Sequence, residues 1–113
     1  MTGMMTVEDV NRAANSKSAN IFAGAIFEFI TALSLVNIYA VASASNMNIT
    51  VMGDSDITVD DQEIVAIGTT LNKSDHLLTS FVALPGTRLS AFLRETGGAA
   101  TTDTIVGAEI VPL

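Results

Sequence analysis

Residues 20–52 read NIFAGAIFEFITALSLVNIYAVASASNMNITVM, and any folded form of the chain must bury this apolar stretch. Glu28 is its only charged residue. The stretch is compatible with one long helix or with several strands. Strands explain more of it, because residues alternate at period two around Phe27 and Phe29 and again over 35–41 and 47–52. The abundant Ile, Val, Phe and Thr also favour a pleated surface.

A membrane-spanning helix over residues 21–44 is the competing interpretation, since about 20 apolar residues cross a bilayer. Polar residues interrupt this window at Glu28, Thr31, Ser34, Asn37 and Ser43. A charge near the centre of such a helix costs roughly 2.5–3.5 kcal/mol on insertion scales. No basic cluster flanks either end of the window to fix an orientation. We therefore expect no membrane span.

The same alternation continues through the second half of the chain. It predicts further strands over residues 56–60, 64–67, 77–84, 87–94 and 105–111. Turn signals lie at 45–46 and at Pro85-Gly86, and polar loops are expected over 70–75 and 96–100. Seven or eight short strands with regular turn signals are typical of a sandwich or barrel. The predicted fold class is therefore mainly β, a small antiparallel β-sandwich or barrel with a short N-terminal helix or arm.

The N-terminal region predicts a short helix over residues 6–15. Thr6 can cap it, with Asp9 three positions later. Apolar residues fall on one helical face at Val7, Val10 and Ala14. The predicted organisation is thus an arm or short helix over 1–19, followed by a single β domain over 20–113. No basic region leads directly into an apolar run at the N-terminus, so no secretory signal is expected.

The composition limits the kinds of partner. The chain has 113 residues and a net charge of −7, and only 15% of its residues are charged, against about 25% in an ordinary soluble domain. Low charge is typical of surfaces covered by other subunits. Five scattered basic residues argue against nucleic-acid binding, which needs Lys and Arg to neutralise phosphates. With no cysteine there is neither a disulfide framework nor a thiolate metal site.

The densest cluster of carboxylates is the acidic segment, residues 54–63. Asp54, Asp56 and Asp60 are the candidate calcium ligands, because calcium prefers oxygen donors and alternate strand residues share a face. The EF-hand spacing fails, since Val59 and Val65 stand where that loop needs Gly and Glu. The other interpretation is an acidic strand edge that discourages aggregation. We predict no bound metal and no cofactor.

The remaining titratable residues do not predict a catalytic site. His76 is the only histidine, and its neighbour Asp75 is adjacent in sequence rather than assembled in space as a triad requires. Glu28 stands among aromatic residues. Acid catalysis is expected less often there than a carboxylate that points outward from a half-exposed strand or pairs with an arginine across an interface. Arg88 and Arg94 share a face of their predicted strand and can pair with the acidic segment or with a neighbouring subunit. The chain is therefore not expected to be an enzyme.

The order of segments resembles that of small β-rich structural proteins of bacteriophage virions, of the capsid-associated, cement or minor capsid type. A polar arm leads into Gly24-Ala-Ile-Phe-Glu-Phe-Ile, which is followed by Val36-Asn-Ile-Tyr-Ala-Val-Ala-Ser, Asn48-Ile-Thr-Val-Met-Gly and Leu84-Pro-Gly-Thr-Arg-Leu. The resemblance covers residues 20–94. It implies self-association, contact with a major capsid protein, and an arm that ties neighbours together. The absence of a basic arm departs from coat proteins that condense genomes.

These observations lead to one expected function and one alternative. The expected function is that of a non-enzymatic virion structural protein, a capsid-associated subunit that stabilises a particle through contacts between subunits. Its partners would be further copies of itself, a major capsid protein, or both, with no nucleic acid and no membrane span. The alternative is a soluble β-sandwich binding module that uses the acidic segment for calcium or a glycan.

Overall fold

The computed structural model of the chain describes residues 3–97 and 102–113, without the side chain of Asn11. Seven strands run through these residues: β1 (Gly3–Arg12), β2 (Ser34–Ala42), β3 (Met47–Gly53), β4 (Asp56–Glu63), β5 (Leu77–Ala83), β6 (Leu89–Glu95) and β7 (Thr102–Pro112). The described residues form no helix, and so none that could cross a membrane.

The strands form two antiparallel sheets, which confirms the predicted mainly β sandwich. Sheet A has the order β1-β7-β2-β5, and sheet B has the order β4-β3-β6. β7 is one of the two central strands of sheet A, since it pairs with β1 from Gly3↔Ile110 onwards and with β2 from Ser34↔Pro112 onwards. The bend at Ser45-Asn46 carries the chain from β2 in one sheet to β3 in the other, as the turn signal predicted.

The core lies between the two sheets because alternate residues of each strand point inward. Val36 and Ile38 of β2, with Val106 of β7, face the interior from sheet A and are fully buried. Sheet B contributes Ile49 and Leu93 from β3 and β6, also fully buried. Fully burying one such side chain contributes about 1.5–3 kcal/mol, so this interior dominates the stability of the domain.

The β1–β2 connection, residues 13–33, covers the outer edge of β6. The backbone N–H groups of Ser18 and Ile21 donate to the carbonyls of Leu93 and Ala91 at 2.8 and 2.9 Å. Side chains complete the pairing, because Ser18 Oγ accepts from Leu93 N–H at 2.8 Å. Asn20 Oδ1 accepts from Ala91 N–H at 3.0 Å. An irregular segment thus satisfies strand groups that would otherwise be unpaired.

Two sequence predictions in the first third of the chain are wrong. The predicted helix over residues 6–15 is absent, because Gly3–Arg12 is strand β1 and pairs with β7. The predicted strand through Phe27 and Phe29 is also absent, and Phe29 forms only an isolated bridge with Arg88. Gly24 has a φ of 79°, a conformation that breaks a strand, and the segment continues as a series of turns.

The later strands follow the predicted alternation more closely. The exception is the predicted strand over 64–67, where Ile67 forms only an isolated bridge with Ala42. The turn at Pro85-Gly86 is confirmed, since Thr87 N–H donates to the carbonyl of Leu84 and Gly86 has a φ of 88°. Proline followed by a residue of positive φ defines a type II turn. The predicted loop over 96–100 extends beyond the described residues after Gly97.

Candidate interaction site

Large apolar side chains are exposed at the end of the sandwich where β2 begins, and we call this region the apolar end. Ile26, Phe29 and Leu84 are 80%, 55% and 66% exposed. The turn after Leu84 is joined to the segment that follows Phe29, because Gly86 N–H donates to the Ile30 carbonyl at 2.7 Å. Leu33 and Leu113 are exposed too, and Leu113 N–H donates to the carbonyl of Leu33 at 2.9 Å. An exposed cluster of this kind on a small domain is typical of a protein–protein contact.

A shallow groove of 280 Å³ lies within the apolar end. Its lining is mainly apolar and comes from β1, β2, β7 and the β1–β2 connection: Gly3, Phe27, Phe29, Ile30, Thr31, Ala32, Ser34, Ile110 and Pro112. Phe27 packs closely over Gly3, where a Cβ atom would lie 2.3 Å from the ring. Glycine at this position therefore allows the aromatic ring to cover the start of β1.

Glu28 holds the apolar end in place. Its Oε1 accepts from the backbone N–H of Gly24 at 2.9 Å, and its Oε2 accepts from Arg88 Nε at 2.7 Å. The Gly24 N–H and the Arg88 guanidinium together hold the pKa of Glu28 below its usual value. The carboxylate thus ties the loop to the start of β6 and positions the adjacent Phe29. Pairing with an arginine was one of the two roles expected for Glu28, but the partner, Arg88, belongs to the same chain and not to a neighbour.

The acidic segment does not bring its three candidate ligands together. Asp54 lies in the β3–β4 turn, where its Oδ1 accepts from Arg88 N–H at 2.9 Å. Asp54 and Asp56 line one groove beside β5, whereas Asp60 lines a different groove on the outer face of sheet B. Two register irregularities between β3 and β4 separate them. Within 3–97 and 102–113, no three His, Cys, Asp or Glu side chains are grouped to hold a metal ion.

A polar network centred on Glu109 lies on the outer face of sheet A. Glu109 Oε1 accepts from Asn37 Nδ2 at 3.1 Å and from the Tyr39 hydroxyl at 3.3 Å, and Oε2 pairs with Lys73. Hydrogen bonds from Lys73 and Asn37 lower the pKa of Glu109. Burial, together with the nearby carboxylate, raises the pKa of Tyr39. Since Lys73 belongs to the β4–β5 connection, residues 64–76, the network attaches that connection to sheet A.

The outer face of sheet B carries a second charged group. Arg94 and Asp61 form a two-point ion pair whose Nε–Oδ1 distance is 3.0 Å, and this contact lowers the pKa of Asp61 and raises that of Arg94. Lys17 Nζ lies 5.6 Å from the centre of the Phe92 ring. Both contacts are exposed, so solvent screens them as it does ordinary surface pairs.

His76 and the apolar end show the limits of motif searching. His76 lies in the β4–β5 connection, where its Nδ1 accepts from Asn72 N–H at 3.0 Å. That contact is local and brings no nucleophile to the ring.

The apolar end was not identified from the sequence, because a strand through Phe27 and Phe29 would have buried alternate side chains. The available signal was the dense run of large apolar residues over 26–33.

The comparisons with known proteins concern the fold. No family model and no curated protein matches the chain. Among solved structures it is similar to "Crystal Structure of FLHE", with a TM-score of 0.50 and 11% identity over 97% of both chains. It is less similar to a chain of the Bacillus endospore appendages described as disulfide-linked pili (TM-score 0.41, 13% identity, 100% of this chain and 88% of that chain).

A chain of infectious bursal disease virus, Gx strain, is also similar (TM-score 0.38, 14% identity, 97% of this chain and 32% of that chain). At these identities the similarity to FLHE supports the two-sheet fold and nothing about activity. The two similarities with lower TM-scores carry no argument about what this chain does.

Proposed function

We propose that this chain is a non-enzymatic structural subunit of a large assembly, and within that class a capsid-associated subunit of cement or minor capsid type. The observation that carries the proposal is the apolar end, where Ile26, Phe29 and Leu84 are mostly exposed. The sequence resemblance to small virion proteins supplies the narrower assignment. The partners are further copies of the chain, a major capsid protein, or both.

The energetics support a binding role for the apolar end. Fully burying one large apolar side chain contributes about 1.5–3 kcal/mol. Burial of Ile26, Phe29 and Leu84 against a neighbour would therefore offset much of the cost of association, about 4–15 kcal/mol. At a net charge of −7, copies of the chain repel one another, so a contact between them depends on the burial of apolar surface. Calcium or glycan binding by the acidic segment has no comparable support, since Asp60 lies apart from Asp54 and Asp56.

Sedimentation of the tagged chain from the cells that produce it tests the proposal. We expect the chain to travel with a particle far heavier than its own 11.8 kDa and to remain there at high salt. A double variant, Ile26→Ser with Leu84→Ser, should stay among the small soluble proteins. The matched control is Val65→Ser, since Val65 is also 80% exposed but lies in the β4–β5 connection. A wild-type chain found only as a free monomer would contradict the proposal.

A further inference from the structure

Two strand edges of sheet A are unpaired along their length. β1 and β5 are the outermost strands of the order β1-β7-β2-β5. In the described part of the chain, no backbone hydrogen bond from a loop or another element reaches the free side of β1 (Gly3–Arg12) or of β5 (Leu77–Ala83). Every second residue of an edge strand points its N–H and C=O groups outward, and such rows are templates for adding another strand.

The edges of sheet B differ, because both are protected. β6 is covered by the β1–β2 connection through hydrogen bonds such as Ser18 N–H to the Leu93 carbonyl. β4 is interrupted by two register irregularities and bears four of the acidic segment's carboxylates, at Asp56, Asp60, Asp61 and Glu63. Bulges and charges are the devices by which natural sheets prevent edge pairing.

β1 and β5 have these devices only in part. β1 carries charged residues only in its second half, at Glu8, Asp9 and Arg12. β1 pairs with β7 without interruption from Gly3 to Asp9, and its single irregularity lies beyond Asp9. β5 contains no charged residue, and its one register irregularity lies near its start, between Leu77 and Thr79. Neither strand contains lysine or proline. The outward-facing side of sheet A also presents apolar residues along both edges, with Val10 of β1 and Val82 of β5 52% and 59% exposed.

The directions of the two edge strands make them mutual partners. Four antiparallel strands are an even number, so β1 and β5 run in opposite directions. When two copies lie side by side in the same orientation, β5 of one copy is therefore antiparallel to β1 of the next. Sheet A then continues from copy to copy with the same antiparallel pairing that it has within one chain.

Charge favours this mixed pairing over pairing of identical edges. β1 carries Glu8 and Asp9, so pairing β1 with β1 would bring four carboxylates onto neighbouring strands. Arg12 of each copy pairs with its own Asp9 at 2.7 Å and offsets only part of this repulsion. Pairing β5 with β5 would bring together two copies of the groove lined by Asp54 and Asp56. Placing the acidic edge against the uncharged β5 edge avoids the first repulsion and separates the grooves.

We propose that copies of this chain join head to tail by strand addition, with β5 of one copy pairing with β1 of the next. The proposal rests on the proposed structural function and gives it a geometry. Such an interface is heterologous, because the two contributing surfaces differ, and it generates a ring when the rotation between copies closes or a filament when it does not. The apolar end stays free in this arrangement to contact a different surface of the assembly.

The absence of cysteine allows a direct cross-linking test. Thr6 of β1 and Ser80 of β5 are exposed residues on strands at opposite edges of sheet A. The double variant Thr6→Cys with Ser80→Cys, oxidised or treated with a short bis-maleimide, should give a ladder of dimers, trimers and larger species. Each single variant alone should stay largely uncross-linked, and a mixture of the two should give dimers containing one of each. Circular dichroism verifies that every variant keeps the β fold.

The other outcomes overturn the proposal in distinguishable ways. Efficient dimers from Thr6→Cys alone indicate pairing of β1 with β1, and from Ser80→Cys alone pairing of β5 with β5. If the double variant gives no ladder while the chain still sediments with a particle, edge pairing is wrong but the structural function stands.

Val82→Lys should abolish the ladder by placing a charge on the β5 edge, whereas Val65→Lys should not. Equal ladders from both lysine variants would contradict pairing through β5.

Discussion

Replacing Asn20 by alanine tests whether the β1–β2 connection is an integral part of the sandwich. Asn20 Oδ1 accepts two backbone hydrogen bonds of 3.0 Å, from Phe22 N–H within the connection and from Ala91 N–H on β6. Phe22 and Ala91 are fully buried. Because water does not reach these positions, the alanine variant leaves two donors without partners.

The structure sets the size of the expected effect. An unsatisfied buried N–H costs about 1–3 kcal/mol, so the two that Asn20→Ala creates cost about 2–6 kcal/mol. The substitution also removes Asn20 Nδ2, a buried donor without a partner, which offsets part of that cost. The free energy of unfolding should therefore fall by about 2–4 kcal/mol. That is a large part of the roughly 5–15 kcal/mol of a typical domain. Ser18→Ala removes the acceptor of a single N–H, that of Leu93, and should cost about half as much. Ser16→Ala removes only an exposed bond to the Ala13 carbonyl and is the control, with an expected change within about 0.5 kcal/mol.

Urea unfolding followed by far-ultraviolet circular dichroism measures all three variants, since the chain has no tryptophan. With a slope of about 2 kcal/mol/M, the midpoint of Asn20→Ala should fall by about 1–2 M. The expected order of destabilisation is Asn20→Ala, then Ser18→Ala, then Ser16→Ala. An Asn20→Ala variant as stable as the Ser16→Ala control would refute the inference that this connection completes the edge of β6.

Three further predictions concern single positions. Gly86→Ala should cost about 1 kcal/mol or more in thermal unfolding, because a φ of 88° strains any residue with a Cβ atom, although the space there is open. Gly107→Ala should cost about 1–3 kcal/mol in urea unfolding, since its Cβ would lie 2.6 Å from Leu71 Cδ2, and adding Leu71→Ala should recover part of that loss. Glu109→Gln should flatten the pH dependence of stability below about pH 5. The pKa of Glu109 in the folded state lies below its ordinary value of 4.5. The carboxylate therefore stabilises the fold above pH 4.5, and this contribution is lost as the pH falls through the folded-state pKa. Urea midpoints that depend equally steeply on pH in both proteins would contradict this role of Glu109.

The strands that alternate cleanly were predictable from the sequence. Residues 47–52 and 87–94 place one apolar set inward, and they form most of β3 and β6. The N-terminal strand was not predictable in the same way, because the spacing of Val7 and Val10 suits a helical face as well as an extended chain. What decides it is β7, about a hundred residues away in the sequence, which supplies the hydrogen bonds that make β1 a strand.

The candidate site was harder to predict than the fold. Alternation places Asp56 and Asp60 on one face of a regular strand, but the irregularities of β4 and the φ of 47° at Asp61 turn them toward different grooves. The exposure of Ile26 and Phe29 follows from the turns after Gly24, and these depend on Glu28 reaching Arg88 across sixty residues of sequence. Such long-range contacts are not visible in local periodicity.

The central position of β7 has a consequence for how the chain acquires its structure during synthesis. β7 is the last of the seven strands to be made, yet sheet A depends on it, since β1 and β2 contact each other only through β7. The ribosome therefore releases β1 long before its partner exists, whereas β3, β4 and β6 are able to associate earlier. We expect the nascent chain to hold a partly formed sandwich whose apolar strands need shielding from other chains until translation reaches residue 112.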